Sequence, residues 1–241
     1  AVSSLPVEGQ YLPETADLMG NHPWKPETKM PWDKIKPIWE SYWDLEKPLL
    51  VEKSPPNLMR APEIVKYFYP VYFLIMVRNP YALCEGFMRR TGDNPRRAAK
   101  KTIKLLKRQA ENARTLENSI SFTYEDLTNN PKKIVEKIEA FIPQLGSLDH
   151  QGEFKVHSID GMVTREIVNF NQKKINNLSP KHFDVINKIF KKNLEALDHW
   201  GYKLYIPPRN HLITFLITRA RVFIPTLRMR TAKKIKSLLN K

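Results

Sequence analysis

The chain has 241 residues, 41% hydrophobic and 27% charged, with 40 Lys plus Arg against 25 Asp plus Glu for a net charge of +15. That describes one large globular domain, with or without a tail, and excludes disorder as the main state. A lone Cys84 excludes a disulfide framework and a cysteine-built zinc site. Neither G-x-G-x-x-G nor G-x-x-x-x-G-K-[ST] occurs, and no apolar run approaches the ~18 residues that cross a bilayer.

Residues 1–47 read as irregular and rich in Pro and Trp. The exception is a helix over 32–43, where Trp32, Ile35, Trp39 and Trp43 recur at spacings of three and four and serve packing. After Pro48, Leu49–Val51 reads as a short buried strand. Glu63 to Tyr69 reads as a helix stopped by Pro70. Val71–Val77 is apolar or aromatic without alternation, which predicts a strand covered on both faces. Pro95 to Leu116 reads as a helix with Ala98, Ala99, Ile103, Leu106 and Ala110 on one side and a solvated basic face. Ile120 to Tyr124 is the third strand. Asn130 caps a helix with Pro131 at its first position and a stripe of Ile134, Val135, Ile138 and Phe141. Ser179-Pro180 starts another, running to about Asp198 with Gly201 near its end. Strands alternating with helices predict an α/β fold with a parallel sheet, whose ligands bind at the carboxyl ends of the strands.

From Lys203 to Lys241 there are ten basic residues and no acid, so the rest of the chain carries only +5 of the net charge. Leu212, Ile213, Phe215, Leu216 and Ile217 add an apolar stretch, later punctuated by Pro225. The mixture suits a peripheral membrane contact or docking against the body; a solvated helix is the plainer alternative. No nucleic-acid recognition motif accompanies the charge, so nucleic acid is not a predicted partner.

Three segments follow the strands: Glu52-Lys53-Ser54-Pro55-Pro56-Asn57-Leu58-Met59-Arg60, Arg78-Asn79-Pro80 onward to Gly86, and Tyr124-Glu125-Asp126-Leu127. In one parallel sheet, Lys53, Arg78 and Tyr124 reach the same edge. A compact charge, a bidentate guanidinium and a stacking ring suit a phosphorylated nucleoside.

The runs EKSPPNLMR, FLIMVRNPYALCEGFMRR and FTYEDLTNNPKKIVEKIEAFI resemble the PAPS-dependent sulfotransferases, over roughly residues 5 to 205. The resemblance implies a P-loop NTPase-like three-layer sandwich over residues 1–205, with 206–241 as a basic C-terminal extension. It implies PAPS as sulfonate donor, a hydroxyl acceptor as partner, and no metal. Arg78 would bind the 3′-phosphate, Tyr124 would contact adenine, and Lys53 would stabilise the bridging oxygen. Lys173 and Lys174 lie where relatives bring basic residues over the 3′-phosphate, near Gln172. Gly86 stands where relatives place a phosphate-binding Ser; this departure removes a hydroxyl donor. The family's 5′-phosphosulfate loop has no counterpart in residues 1–20, where Val2-Ser3-Ser4-Leu5 is too short and lacks a preceding strand. That absence, with Ala1 in first place, predicts a partial sequence without its N-terminal strand and phosphate loop.

Glu8, in Val7-Glu8-Gly9-Gln10, resembles the EGQ segment of some members and is the first choice of general base; His22 is the alternative. Asn57 and Arg60 are candidates for the acceptor side, Glu52 faces away from Lys53 or pairs with a cation, and Glu125 and Asp126 orient their loop. Cys84 reads as packing. His150, His157, His182, His199 and His211 show no ligand spacing, so no metal is predicted. A kinase of related fold is disfavoured by the missing Walker loop. A non-catalytic basic module binding anionic membranes or polyanions is the other alternative. No signal peptide is visible, and the compartment is left open: cytoplasmic as read, with membrane association through the tail as the alternative and any N-terminal signal or anchor out of view.

Overall fold

The computed structural model describes residues 2–20, 23–158 and 161–220, so His22 and the tail beyond 220 lie outside the described residues. In chain order the elements are β1 (Val2–Ser4), a 3-10 turn (Gly9–Tyr11), α1 (Pro13–Met19), α2 (Trp32–Tyr42), β2 (Leu49–Val51), α3 (Asn57–Tyr67), β3 (Phe73–Val77), α4 (Pro80–Thr91) and α5 (Pro95–Thr115). There follow β4 (Ser119–Thr123), α6 (Tyr124–Asn129), α7 (Pro131–Phe141), β5 (Phe154–Ser158), β6 (Gly161–Arg165), α8 (Asn171–Ile175), α9 (Pro180–Phe190) and α10 (Leu194–Asp198). Residues 211–220 are helical as well. The fold is α/β. Parallel two-stranded pairs β1–β2 and β3–β4 accompany the helices, and β5–β6 is an antiparallel hairpin. No described helix is long and apolar enough to cross a membrane.

The chain divides into two compact units, Ala1–Val77 with Leu105–Val168, and Arg78–Lys104 with Asn169–Lys241. In the first unit, Leu5, Leu12, Met19, Met30, Trp32, Ile35, Trp39, Trp43 and Ile64 form the core, with Phe68, Val71 and Phe73 packed against it. The indole of Trp39 meets Trp32 and Trp43 edge-on at 5.7 and 6.0 Å. Tryptophans at helical spacing thus serve packing here, as expected.

β3 corrects the expectation of a strand covered on both faces. Ile75 and Val77 are buried, whereas Leu74 and Met76 are 45% and 46% exposed. Successive side chains on a strand point to opposite faces, and one face here is uncovered. β2 is likewise not a buried strand, with Leu50 and Val51 40% and 41% exposed.

Helix α3 begins six residues before the predicted start, at Asn57. Pro56 is its N-cap residue, and the helix tolerates Pro62 in its interior for a reason visible in its neighbours. Pro62 has no N–H to give to the carbonyl of Leu58, four residues earlier. That carbonyl instead accepts from Asn112 Nδ2 at 2.8 Å and Arg108 Nε at 3.4 Å, while Arg108 Nη2 reaches the Met59 carbonyl at 3.1 Å. The basic side of α5 is therefore not simply a solvated face.

In the second unit, Arg97 and Lys101 both pair with the buried carboxylate of Asp93, at 3.0 and 2.7 Å. The core of this unit centres on Tyr81, ringed by Phe183, Phe190 and Tyr205. Its hydroxyl donates to Asn187 Oδ1 at 2.5 Å and accepts from the Tyr205 amide at 2.9 Å; burial pushes its pKa up to about 12. His211 is also buried, with Nε2 2.8 Å from the Leu178 carbonyl and its ring edge-on to Phe183. The predicted single helix from Pro180 to Asp198 is two, α9 and α10, separated by a 3-10 turn over Lys191–Asn193.

Candidate functional site

In the first unit, parallel pairing accounts for the principal cluster. Ser4 on β1 pairs with Val51 on β2, so both strands release their chains at the same end. The released segments, 5–10 and 52–57, are laced together. Glu52 Oε1 accepts from the Gly9 amide at 2.9 Å, and Ser54 Oγ accepts from the Gln10 amide at 3.3 Å. Ser54 Oγ and Asn57 Nδ2 both donate to the Glu52 carboxylate. Its partners here are amides and a hydroxyl, so of the two expectations for Glu52 the pairing with a cation is corrected, while Lys53 turns to Glu8 instead. Gly9 is held tightly: a Cβ there would stand 2.6 Å from the Trp39 ring, whose Nε1 donates to the Gly9 carbonyl at 3.4 Å.

On this frame the two predicted catalytic residues meet. Lys53 Nζ lies 2.7 Å from Glu8 Oε1, and Gln10 Nε2 donates to Glu8 Oε2 at 2.7 Å. The Glu8 side chain is 25% exposed and that of Lys53 78%, so the carboxylate is largely sheltered while the lysine side of the pair is open to solvent. Strand β1, too short to stand out in the sequence, makes this meeting possible.

Arg60 corrects the expectation of an acceptor-side residue. It is fully buried; its guanidinium donates to the carbonyls of Pro23, Lys25 and Thr28 and pairs with Glu63 at 2.9 Å. It pins a loop, and its donors are turned inward. Tyr124 opens α6 rather than closing a strand. Thr123 and Asp126 form the capping box there, the orienting role expected of Asp126. The Tyr124 hydroxyl donates to the Val168 carbonyl at 2.7 Å. Thr123 pairs with Val77, and these two residues immediately precede Tyr124 and Arg78 in the chain.

In the second unit, Asn79 caps α4 by accepting from the amides of Tyr81 and Ala82, with Pro80 at the first position. Arg78 Nε donates to the buried Asn171 Oδ1 at 2.8 Å. The buried Glu85 carboxylate joins α4 to the segment around α8. Lys174 Nζ and Arg89 Nε each lie 3.1 Å from it, and Asn177 Nδ2 lies 3.2 Å away. Burial holds the Lys174 amine below the ordinary lysine range, Glu85 raises it, and Arg89 and Arg78 push it down again. Lys173 is exposed. A Cβ on Gly86 would meet nothing within 4 Å, so there is open space beside this buried backbone. Cys84 is buried with Sγ 3.4 Å from Thr102 Oγ1, and burial pushes its thiol up to about 12, consistent with packing. Glu85 has no role in the sequence reading, although its i,i+4 spacing to Arg89 is a pairing signal.

No family model matches the chain. No curated protein matches it either. Among solved structures, the Sulfotransferase Domain from the Curacin Biosynthetic Pathway is similar at 20% identity and a TM-score of 0.46, over 71% of this chain and 69% of that one. A likeness of that size says nothing about activity, which rests on the chemistry of the residues.

Proposed function

We propose that the chain is a sulfotransferase with a P-loop-like three-layer sandwich, moving the sulfonate of PAPS to an acceptor hydroxyl. The observation that carries the reading is the Glu8–Lys53 pair: a carboxylate and an ammonium 2.7 Å apart at the carboxyl ends of β1 and β2. In-line sulfonate transfer needs both. Glu8 takes the proton as the acceptor oxygen bonds to sulfur. Lys53 stabilises the charge left on the nucleotide oxygen as its bond to sulfur breaks. Arg78 and Lys174 supply cations for the 3′-phosphate, with Lys173 nearby in sequence, and the space at Gly86 leaves room for an anion. Tyr124 offers a ring face to adenine, its hydroxyl being engaged by Val168. The motif resemblance supports the same assignment of roles.

The test is calorimetry of PAP binding to the full chain. Arg78→Ala weakens binding markedly, whereas Lys104→Ala, on an exposed position of α5, leaves it unchanged. Equal effects, or no binding of PAP by the parent protein, refute the assignment. Arg108 is unsuitable as a control, because its guanidinium holds the carbonyls of α3.

A further inference from the structure

The helix over 211–220 has one anchored side and one bare side. His211 faces inward onto Leu178 and Phe183. Leu212, Ile213, Leu216 and Ile217 are 51%, 61%, 56% and 47% exposed. Their spacing (i, i+1, i+4, i+5) gathers four aliphatic side chains into one stripe. Exposed single aliphatics are ordinary on protein surfaces; a contiguous row on an anchored helix marks an interaction face. Two residues after the stripe comes Arg219, exposed, with its guanidinium 5.5 Å from the Phe215 ring centroid. The chain then carries Arg221, Arg228, Arg230, Lys233, Lys234, Lys236 and Lys241 with no acidic residue.

We propose that this stripe lies on an anionic lipid surface, with the aliphatics inserted at the headgroup boundary and the basic residues compensating lipid phosphate and carboxylate charge. Charge selects this occupant over a second copy of the chain, since two copies would bring two acid-free cationic segments together. An aliphatic stripe without the charge would bind neutral lipid equally. The charge alone would bind any polyanion and leave the aliphatics in water. The two in sequence fit a bilayer bearing acidic headgroups. The contact goes beyond the sulfonate-transfer reading and does not depend on it.

Co-sedimentation of the full chain with vesicles tests it. Vesicles of phosphatidylcholine plus phosphatidylserine take the protein down, vesicles of phosphatidylcholine alone do so at least about tenfold less well, and added salt weakens the first. Ile213→Gln with Leu216→Gln, both exposed, cuts binding to anionic vesicles about tenfold or more and leaves the circular dichroism spectrum unchanged. Lys233→Gln with Lys234→Gln and Lys236→Gln weakens it by about fivefold per charge that contacts the surface. Three results would overturn the assignment: equal binding to both vesicle types, undiminished binding by the variant carrying Ile213→Gln and Leu216→Gln, or a dimer in sedimentation velocity that this pair of substitutions abolishes. PAP calorimetry on the same variant stays at the parent value, which separates loss of the lipid contact from loss of the nucleotide site.

Discussion

Lys53 Nζ and Glu8 Oε1 stand 2.7 Å apart although 45 residues separate them in the chain. Parallel pairing of two three-residue strands brings them together, the Glu52–Ser54–Gly9 bonds lace the two released segments, and Gln10 Nε2 holds the other oxygen of the Glu8 carboxylate. An exposed ion pair contributes little to stability, about 0–1 kcal/mol, so the pair separates cleanly into function and fold. Glu8→Gln and Lys53→Ala should each leave thermal unfolding within a degree or two of the parent. Each should lower turnover by about 10²-fold or more if proton removal and leaving-group stabilisation are the roles. Turnover within about twofold of the parent removes both residues from the chemistry.

Two glycines should respond oppositely to the same substitution. Gly9→Ala forces a methyl against the buried Trp39 ring and should cost about 1–3 kcal/mol. Gly86→Ala sits inside α4 with open space around it and should gain about 0.5–1 kcal/mol from helix propensity. Chemical denaturation checks both. A destabilised Gly86→Ala protein would show that the space beside α4 is not open.

Pro62 and Asn112 should be coupled. Asn112→Ala deprives the Leu58 carbonyl of its 2.8 Å donor and should cost about 1–3 kcal/mol. In a Pro62→Ala background the restored backbone N–H can serve that carbonyl, so the same change should cost measurably less. A double-mutant cycle reads the difference directly; strict additivity contradicts the account of how α3 tolerates its proline.

If the basic cluster of the second unit holds the nucleotide phosphate as proposed, PAP binding should be sensitive to alkaline pH. Lys174, facing Glu85 and Arg89 from α4, and Arg78, loses its proton below the ordinary lysine value of 10.5, chiefly through burial. PAP affinity should therefore decline as pH rises toward that value. Glu85→Gln removes the group that raises Lys174 and should move the decline to lower pH. Stability follows the opposite course: the unfolded chain binds the proton more tightly, so this lysine's contribution to stability grows with pH across the same window. A PAP-binding profile identical in parent and Glu85→Gln excludes the role.

Elements whose signals are local are legible in the sequence. α2 and α7 follow from their apolar spacing and from Asn130-Pro131, and β4 lies within a residue of its expected bounds at each end. α4 is absent from the sequence-based elements although Asn79-Pro80 carries the same start signal that places α7. β1 and the exposure of Leu74 and Met76 are not legible, because both depend on what pairs with or covers a strand. Glu8 and Lys53 stand out in the sequence by motif and position, yet their meeting is a tertiary fact. Arg60 looks like a ligand residue by type. Only the three carbonyls around it reveal a brace.

Tyr81 binds the amide of Tyr205, Asn187 grips the carbonyl of the same residue, and His211 plugs the floor against Leu178. Tyr205 and His211, inside the acid-free segment, are thus bonded into the second unit. A shortened protein ending near residue 202 would lose the bolts of its own second unit, and any loss of binding would then report collapse. Cuts meant to isolate the cationic end should be made downstream of His211.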